Sequence, residues 1–388
     1  GISEFRIPVG LISLGNRVFY GSTAIRKIKV ADGNGSYMVK NSALYDNTGD
    51  ELIYYPSGLS GKYIVDSSTI TISDAAFAYS RCEEVVMSKG VISIGKEGFT
   101  HSRIEKITFP ESLSSMGESI CRNCVRLSDV IFAAKIKLSS IADGAFYGTS
   151  NLKNIVIPDS INKIGVEAFY NSEITEVTWG KNSKLKKIGV SAFAYTRIKS
   201  ISIPDEVESI EEGAFEADHF LQKVNFGKAS KCTKIGSESF AKTDKLKEFT
   251  IPNNVTSLGE KALYRSGISK IVIGAKIANI GSGVFAACHN LSDITVDDNN
   301  QKYASYNGVL YNKTKTVLIQ YPAARTGRYT TAKTTKSISG YAFSGASKLT
   351  DIVLNSGMTR IGTHAFEYCN KMQTPTLPVT LTQIDSYA

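Results

Sequence analysis

Apolar residues recur along this chain with a spacing of about 23 residues. An apolar residue, usually followed by glycine, precedes three small or variable positions and a phenylalanine, as in Ile164–Phe169 and Ile361–Phe366. Self-similarity at a fixed period of about 20 to 50 residues is the signature of repeat proteins. The final position, called the anchor below, is occupied by Phe19, Phe77, Phe99, Cys121, Phe146, Phe169, Phe193, Phe215, Phe240, Leu263, Phe285, Phe343 and Phe366.

A second pattern lies between the anchors. In Leu152–Pro158 the apolar residues Ile155 and Ile157 alternate with outward positions, and this period of two predicts a short strand with one buried face. Because a single turn cannot bury its own apolar face, neighbouring turns must stack. The sequence therefore predicts one solenoid over residues 1–388, with about 14 turns of roughly 23 residues. We expect its short parallel strands to form one continuous sheet, in a coil of either hand.

Two intervals between anchors are longer, because each contains an insert of about 35 residues. The inserts, residues 33–66 and 299–332, align without a gap, with Tyr63 of the first matching Tyr329 of the second. Residues 308–321 alternate around a polar loop and predict a β-hairpin. Such a hairpin can contact a partner, through Tyr311 and Tyr321 for example, or it can shield the core where stacking is interrupted.

Tyrosines and lysines form two further candidate surfaces. Tyrosines often follow the anchor by one or two residues, which places them at one corner of the coil. A tyrosine there can contact a partner or pack against the adjacent turn. Lysines recur with an offset of 47 residues, or two turns, and we expect matched pairs about 10 Å apart. The candidate contact residues are Tyr147, Tyr170, Tyr195, Lys181, Lys184, Lys187, Lys228, Lys231 and Lys234.

The net charge of +9 is weak evidence for an acidic partner. Net charge concerns non-specific attraction, and the run Lys223, Glu248, Lys270 and Asp293 predicts a ladder of alternating sign across stacked strands. The lysine-rich corners can meet a sulfated glycan or an acidic protein, or they can be solvated loops. No nucleic-acid module accompanies them, so we expect no nucleic-acid partner.

Catalytic chemistry is not predicted. The four histidines are far apart in sequence, and they form no metal-ligand spacing and no nucleophile and base pair. Cys121 and Cys124 are a weak redox signal, since one occupies an anchor and the other a small corner position, and we expect six free thiols. We therefore predict a protein that is not an enzyme, with no catalytic residue, cofactor or metal site.

The repeat, with Leu-x-x-Ile-x-Ile-Pro before Ile-Gly-x-x-Ala-Phe, resembles the BspA-like leucine-rich repeat family of bacterial surface proteins. The resemblance implies an extended solenoid at the cell surface or secreted, which adheres to a host or bacterial protein, such as a matrix or plasma protein, or to a glycan. The alternative is a structural spacer that displays another domain. Gly1–Phe5 has no features of a secretory signal, so we expect a mature or trimmed chain without direct membrane insertion.

Overall fold

The computed structural model of the chain describes residues 2–388. It divides into two compact units, Gly1–Arg197 and Ile198–Ala388. Both are built from stacked turns of about 23 residues, about 17 turns in all, and residues 2–388 contain no helix. The anchors predict fewer turns because each insert adds strands without adding an anchor. Consistent with the strand and turn content, residues 2–388 include no helix able to span a bilayer.

Most turns in the first unit contribute a strand of about four residues and a second strand of two residues. The first unit contains the strands β1 (Glu4–Ile7), β2 (Lys27–Val30), β3 (Tyr37–Lys40), β4 (Ala43–Asp46), β5 (Glu51–Tyr54), β6 (Ser60–Ile64), β7 (Thr71–Ile72), β8 (Arg81–Val86), β9 (Ser93–Ile94), β10 (Lys106–Phe109), β11 (Ser115–Met116), β12 (Asp129–Phe132), β13 (Ser140–Ile141), β14 (Asn154–Ile157), β15 (Lys163–Ile164), β16 (Glu176–Trp179) and β17 (Lys187–Ile188).

The same two kinds of strand alternate in the second unit. It contains the strands β18 (Ser200–Ile203), β19 (Ser209–Ile210), β20 (Lys223–Phe226), β21 (Lys234–Ile235), β22 (Ser257–Leu258), β23 (Lys270–Ile273), β24 (Asn279–Ile280), β25 (Asp293–Val296), β26 (Tyr303–Tyr306), β27 (Val309–Asn312), β28 (Val317–Gln320), β29 (Gly327–Thr330), β30 (Ser337–Ile338), β31 (Leu349–Val353), β32 (Arg360–Ile361) and β33 (Gln383–Ile384).

The strands form several parallel sheets instead of the single continuous sheet that the sequence pattern predicted. In the first unit β6, β8, β10 and β12 pair in one sheet, and β14 and β16 form another. The break follows a long turn, since 25 residues separate Asp129 from Asn154. In the second unit a turn of the same length leaves only an isolated bridge between Lys223 and Glu248. The extra residues in a long turn thus interrupt the strand pairing.

The backbone around each anchor adopts a left-handed conformation on both sides. Beside Phe169, Glu167 has φ 52° and Asn171 has φ 51°, a conformation that is uncommon for residues other than glycine. The backbone N–H groups of all three donate to carbonyl oxygens of the following turn, at 2.8, 2.8 and 3.0 Å. These hydrogen bonds between turns hold the corner in a conformation that the residues do not favour alone.

Stacked aromatic rings fill the core. Phe169 is fully buried, and its ring centroid lies 5.4 Å from that of Phe146 and 5.1 Å from that of Phe193. The small residue that follows each anchor by three positions is also buried, and its polar atom bonds locally. The Thr149 hydroxyl, for example, donates to the carbonyl oxygen of Phe146 at 2.8 Å. The small corner therefore closes the turn without leaving its hydroxyl unbonded.

Each insert is an antiparallel meander that ends by joining a column of two-residue strands. In the first insert β3 pairs with β4 and β4 with β5, and β5 then pairs in parallel with β7. The second insert repeats this order with β26, β27, β28 and β30. Leu44 and Tyr45 are fully buried, as are Leu310 and Tyr311. The meander therefore covers the core of the following turns.

Candidate ligand-binding surface

Tyr147, Tyr170 and Tyr195 lie next to one another on one corner of the first unit. The centroids of the Tyr147 and Tyr170 rings are 5.0 Å apart with an interplanar angle of 12°, and those of Tyr170 and Tyr195 are 5.2 Å apart. The Arg122 guanidinium carbon lies 3.7 Å from the Tyr147 centroid. Tyr195 is 43% exposed, and the other two rings are partly buried. These four residues are called the tyrosine corner below.

The spacing of the rings follows from the repeat. Successive turns place equivalent corners about one strand spacing apart, near 4.8 Å, so a ring in one turn lies over a ring in the next. Both interpretations of the sequence therefore apply to the same residues, because each ring packs on its neighbour and also keeps part of its surface exposed. Aromatic rings with a polar tip are well suited to such partly wet contacts.

The same corner continues toward the start of the first unit, where Tyr79 stacks on His101 with centroids 4.9 Å apart. Tyr79 also meets the ring of Tyr20 edge to face at 5.1 Å. His101 Nε2 lies 3.4 Å from the Asn123 side-chain nitrogen. Sequence reasoning assigned no corner role to Arg122, His101 or Asn123. Their position, one or two residues after the anchor, was the signal that could have identified them.

In the first unit the candidate lysines Lys181, Lys184 and Lys187 are all exposed. Lys187 is in β17, opposite Lys163 of β15. Two cationic side chains thus lie on adjacent strands, and like charges directly opposite one another destabilise a sheet. This edge of the first unit is available to an anionic group of a partner.

In the second unit two of the three candidate lysines already have acidic neighbours. The Lys231 ammonium lies 2.7 Å from a Glu206 carboxylate oxygen, and that of Lys234 lies 2.9 Å from Glu211. The hydrogen bond from Glu206, followed by its charge, raises the pKa of Lys231. Lys228 is exposed. The predicted 10 Å spacing between lysines of the two units stays a prediction.

Tyr311 and Tyr321 are 0% and 2% exposed. The Tyr311 hydroxyl lies 2.7 Å from that of Tyr329, and it accepts a hydrogen bond from the Ala332 N–H at 3.3 Å. The Tyr321 ring stacks on Phe343 with centroids 4.9 Å apart. Both rings lie in the core that the second insert covers, so we do not include them in the proposed contact surface.

Other reactive groups are buried or dispersed. All six cysteines are free thiols, and only Cys369 is partly exposed. Burial raises the pKa of Cys82, Cys232, Cys288 and Cys369 to about 11, which disfavours the reactive thiolate. Within residues 2–388 no group of three histidine, cysteine or acidic side chains is placed to hold a metal ion.

Comparison with known proteins identifies the repeat. The model for the BspA type leucine rich repeat region matches residues 70–185, 123–232, 221–329 and 325–388. The structure of the pneumococcal vaccine antigen PcpA is similar, with 25% identity over 89% of this chain and 71% of that one, and a TM-score of 0.50. A leucine-rich repeat protein of Eubacterium ventriosum is 26% identical over 67% of this chain and 56% of that one, with a TM-score of 0.39. No curated protein matches the chain.

Proposed function

Because the chain belongs to the BspA-type leucine-rich repeat family, we propose that it is a cell-surface or secreted protein that binds a host or bacterial partner through the side of its stacked turns. The tyrosine corner is the observation that carries this proposal. Its three tyrosine rings and one guanidinium form a continuous, partly exposed strip across successive turns. Tyrosine and arginine are the residue types that dominate binding energy in many interfaces.

The partner that best fits the tyrosine corner is a protein. The strip is rigid, since each ring is held by its neighbour, and a rigid aromatic surface loses little conformational entropy on binding. The exposed lysines of the first unit add positive charge, so an acidic protein surface is favoured. Electrostatic attraction of this kind mainly raises the association rate. We propose no catalytic activity, since no catalytic family matches the chain.

A binding panel tests the proposed function. Folded chain would be passed over immobilised matrix proteins, plasma proteins and bacterial cells, with urea-unfolded chain as the control for non-specific adsorption. We expect saturable binding to at least one surface, weakened as sodium chloride is raised because exposed charges are screened. Uniformly negative results with well-folded chain would reject binding and favour a spacer that displays another domain.

A further inference from the structure

Each insert opens a polar groove beside the turns that follow it. Groove 1, in the first unit, has a volume of about 600 Å³ and is lined by residues 14–20 and by parts of the first insert and the next two turns. Groove 2, in the second unit, has a volume of about 620 Å³ and lies at the matching place by the second insert. The shared framework comprises the pairs Gly15 and Gly281, Tyr37 and Tyr303, Ile53 and Ile319, and Ser73 and Ser339.

A row of polar side chains forms one wall of groove 1. Glu51 is opposite Thr71, Thr71 is opposite Ser93, and Ser93 is opposite Ser115 in the parallel strands β5, β7, β9 and β11. All four line the groove, and adjacent members are about 4.8 Å apart because that is the strand spacing. The Ser93 hydroxyl donates to that of Thr71 at 3.3 Å. The wall therefore repeats a polar group at each turn.

Two carboxylates in groove 1 keep acceptor capacity. Ser73 donates to one oxygen of Glu51, and the Lys96 N–H donates to one oxygen of Asp74 at 2.7 Å. Within residues 2–388 the second oxygen of each carboxylate has no hydrogen-bond partner. Asp46 differs, because its carboxylate accepts from the Thr48 hydroxyl and from backbone N–H groups of its own turn. Glu51 and Asp74 are thus the acceptors that a ligand can use.

The cations of groove 1 are neutralised. Arg17 lies 3.3 Å from a Glu97 oxygen, and the Lys96 ammonium lies 3.0 Å from a Glu118 oxygen. An acidic ligand would therefore meet the carboxylates of Glu51 and Asp74 without a free cation to compensate. A ligand with many hydroxyl groups and no charge suits this lining, since hydroxyls can donate to carboxylates and exchange hydrogen bonds with serine and threonine. The Tyr37 side chain supplies an aromatic wall.

Groove 2 has the same framework without these acceptors. Val317 occupies the position of Glu51, with the same parallel pairing to the following strand. Gly340 occupies the position of Asp74. Groove 2 is also lined by an ion pair, since Arg360 lies 2.7 Å from an Asp385 oxygen. The two grooves therefore provide a comparison within one chain, with equivalent shape and different hydrogen-bonding capacity.

We propose that groove 1 is a binding site for a neutral oligosaccharide, with Glu51 and Asp74 accepting hydrogen bonds from sugar hydroxyls. The inference rests on the proposed binding function, and it assigns that function a second site and a ligand class. Groove 2 does not share the site. Binding by groove 1 is insensitive to salt, because the ligand carries no charge, whereas contact through exposed lysines is screened.

The test combines an array of neutral, amino, sulfated and sialylated glycans with calorimetry on the strongest neutral ligand. We expect one site per chain, an affinity unchanged between low and high sodium chloride, and a loss of at least tenfold in Glu51→Val. Val317→Glu is the matched control and should bind as the wild type does. Valine is compatible with the fold at residue 51 because groove 2 carries it at the equivalent place. If Glu51→Val unfolds, Thr71→Val takes its role, with the same loss expected.

Two outcomes would overturn the carbohydrate proposal. One is that folded chain binds no neutral glycan on the array. The other is that Glu51→Val, or Thr71→Val in its place, retains wild-type affinity. A protein partner that still binds the tyrosine corner in either case would leave the proposed function standing, so the two failures are distinguishable.

Discussion

Each anchor side chain is held by contacts from the turns on either side of it. Sequence periodicity predicted these positions because a phenylalanine that recurs every turn has to be buried by stacking. It did not predict the left-handed backbone beside the anchor. Glu167, His101 and Tyr195 all have positive φ, and no side-chain preference indicates this for glutamate or tyrosine. Hydrogen bonds between turns impose that conformation, so it becomes visible only in the stack.

Phe169→Ala tests the anchor directly. Its ring is fully buried between two other phenylalanine rings, so truncation should leave a cavity and cost about 3–5 kcal/mol of unfolding free energy. Urea unfolding followed by circular dichroism measures the change. Val156→Ala, at a side chain that is 59% exposed, is the control and should change stability by about 0.5 kcal/mol or less. Equal effects of both substitutions would reject the anchor role.

The inserts show how far alternation along a strand can be interpreted. The pattern predicted the hairpin of β27 and β28, and these strands do pair antiparallel. Alternation alone left open whether the hairpin extends into solvent or folds against the coil. The burial of Leu310 and Tyr311 shows that it folds against the coil. The missing information is the packing partner, Tyr329, which is 18 residues from Tyr311.

The buried hydroxyl pair in each insert gives a matched prediction. The hydroxyls of Tyr311 and Tyr329 are 2.7 Å apart, whereas those of Tyr45 and Tyr63 are 3.3 Å apart. Tyr311→Phe leaves the buried Tyr329 hydroxyl without this partner, which should cost about 1–3 kcal/mol. Tyr45→Phe should cost less because its hydrogen bond is longer. Thermal unfolding of both variants measures the difference, and a neutral Tyr311→Phe would contradict the assigned role.

At the scale of the whole chain, the sequence predicted the repeat, its period and its family. It could not predict where the sheets break or where the grooves lie. The breaks follow turns of 25 residues, such as the one from Asp129 to Asn154, and two extra residues act only through the pairing they disturb. Groove 1 arises because an insert lies between residues 14–20 and the next turns, which is a property of three dimensions.

Buried tyrosines and cysteines make stability depend on pH in the alkaline range. Burial raises the pKa of Tyr63 and Tyr329, and it raises the pKa of Cys232 and Cys288 to about 11. In the unfolded chain these groups titrate near 8.5 for cysteine and about 10 for tyrosine. Above those values the unfolded chain releases protons that the folded chain retains, so stability falls as pH rises.

We therefore expect these groups to contribute a constant stability below about pH 8 and a progressive loss between about pH 8.5 and 11. Urea midpoints measured from pH 7 to 11 check this. A midpoint that stays level or rises above pH 9 would show that the groups are not buried as described.

Binding of a protein partner through the tyrosine corner is the central claim. Its most direct measurement is the dissociation constant of the partner found on the panel, for wild-type chain and for the triple variant Tyr147→Ser, Tyr170→Ser and Tyr195→Ser. Lys181→Ser with Lys184→Ser is the control for charge, and circular dichroism monitors folding. We predict at least tenfold weaker binding for the folded tyrosine variant, and for the lysine variant mainly a reduced salt dependence. Wild-type affinity in the folded tyrosine variant would contradict the account.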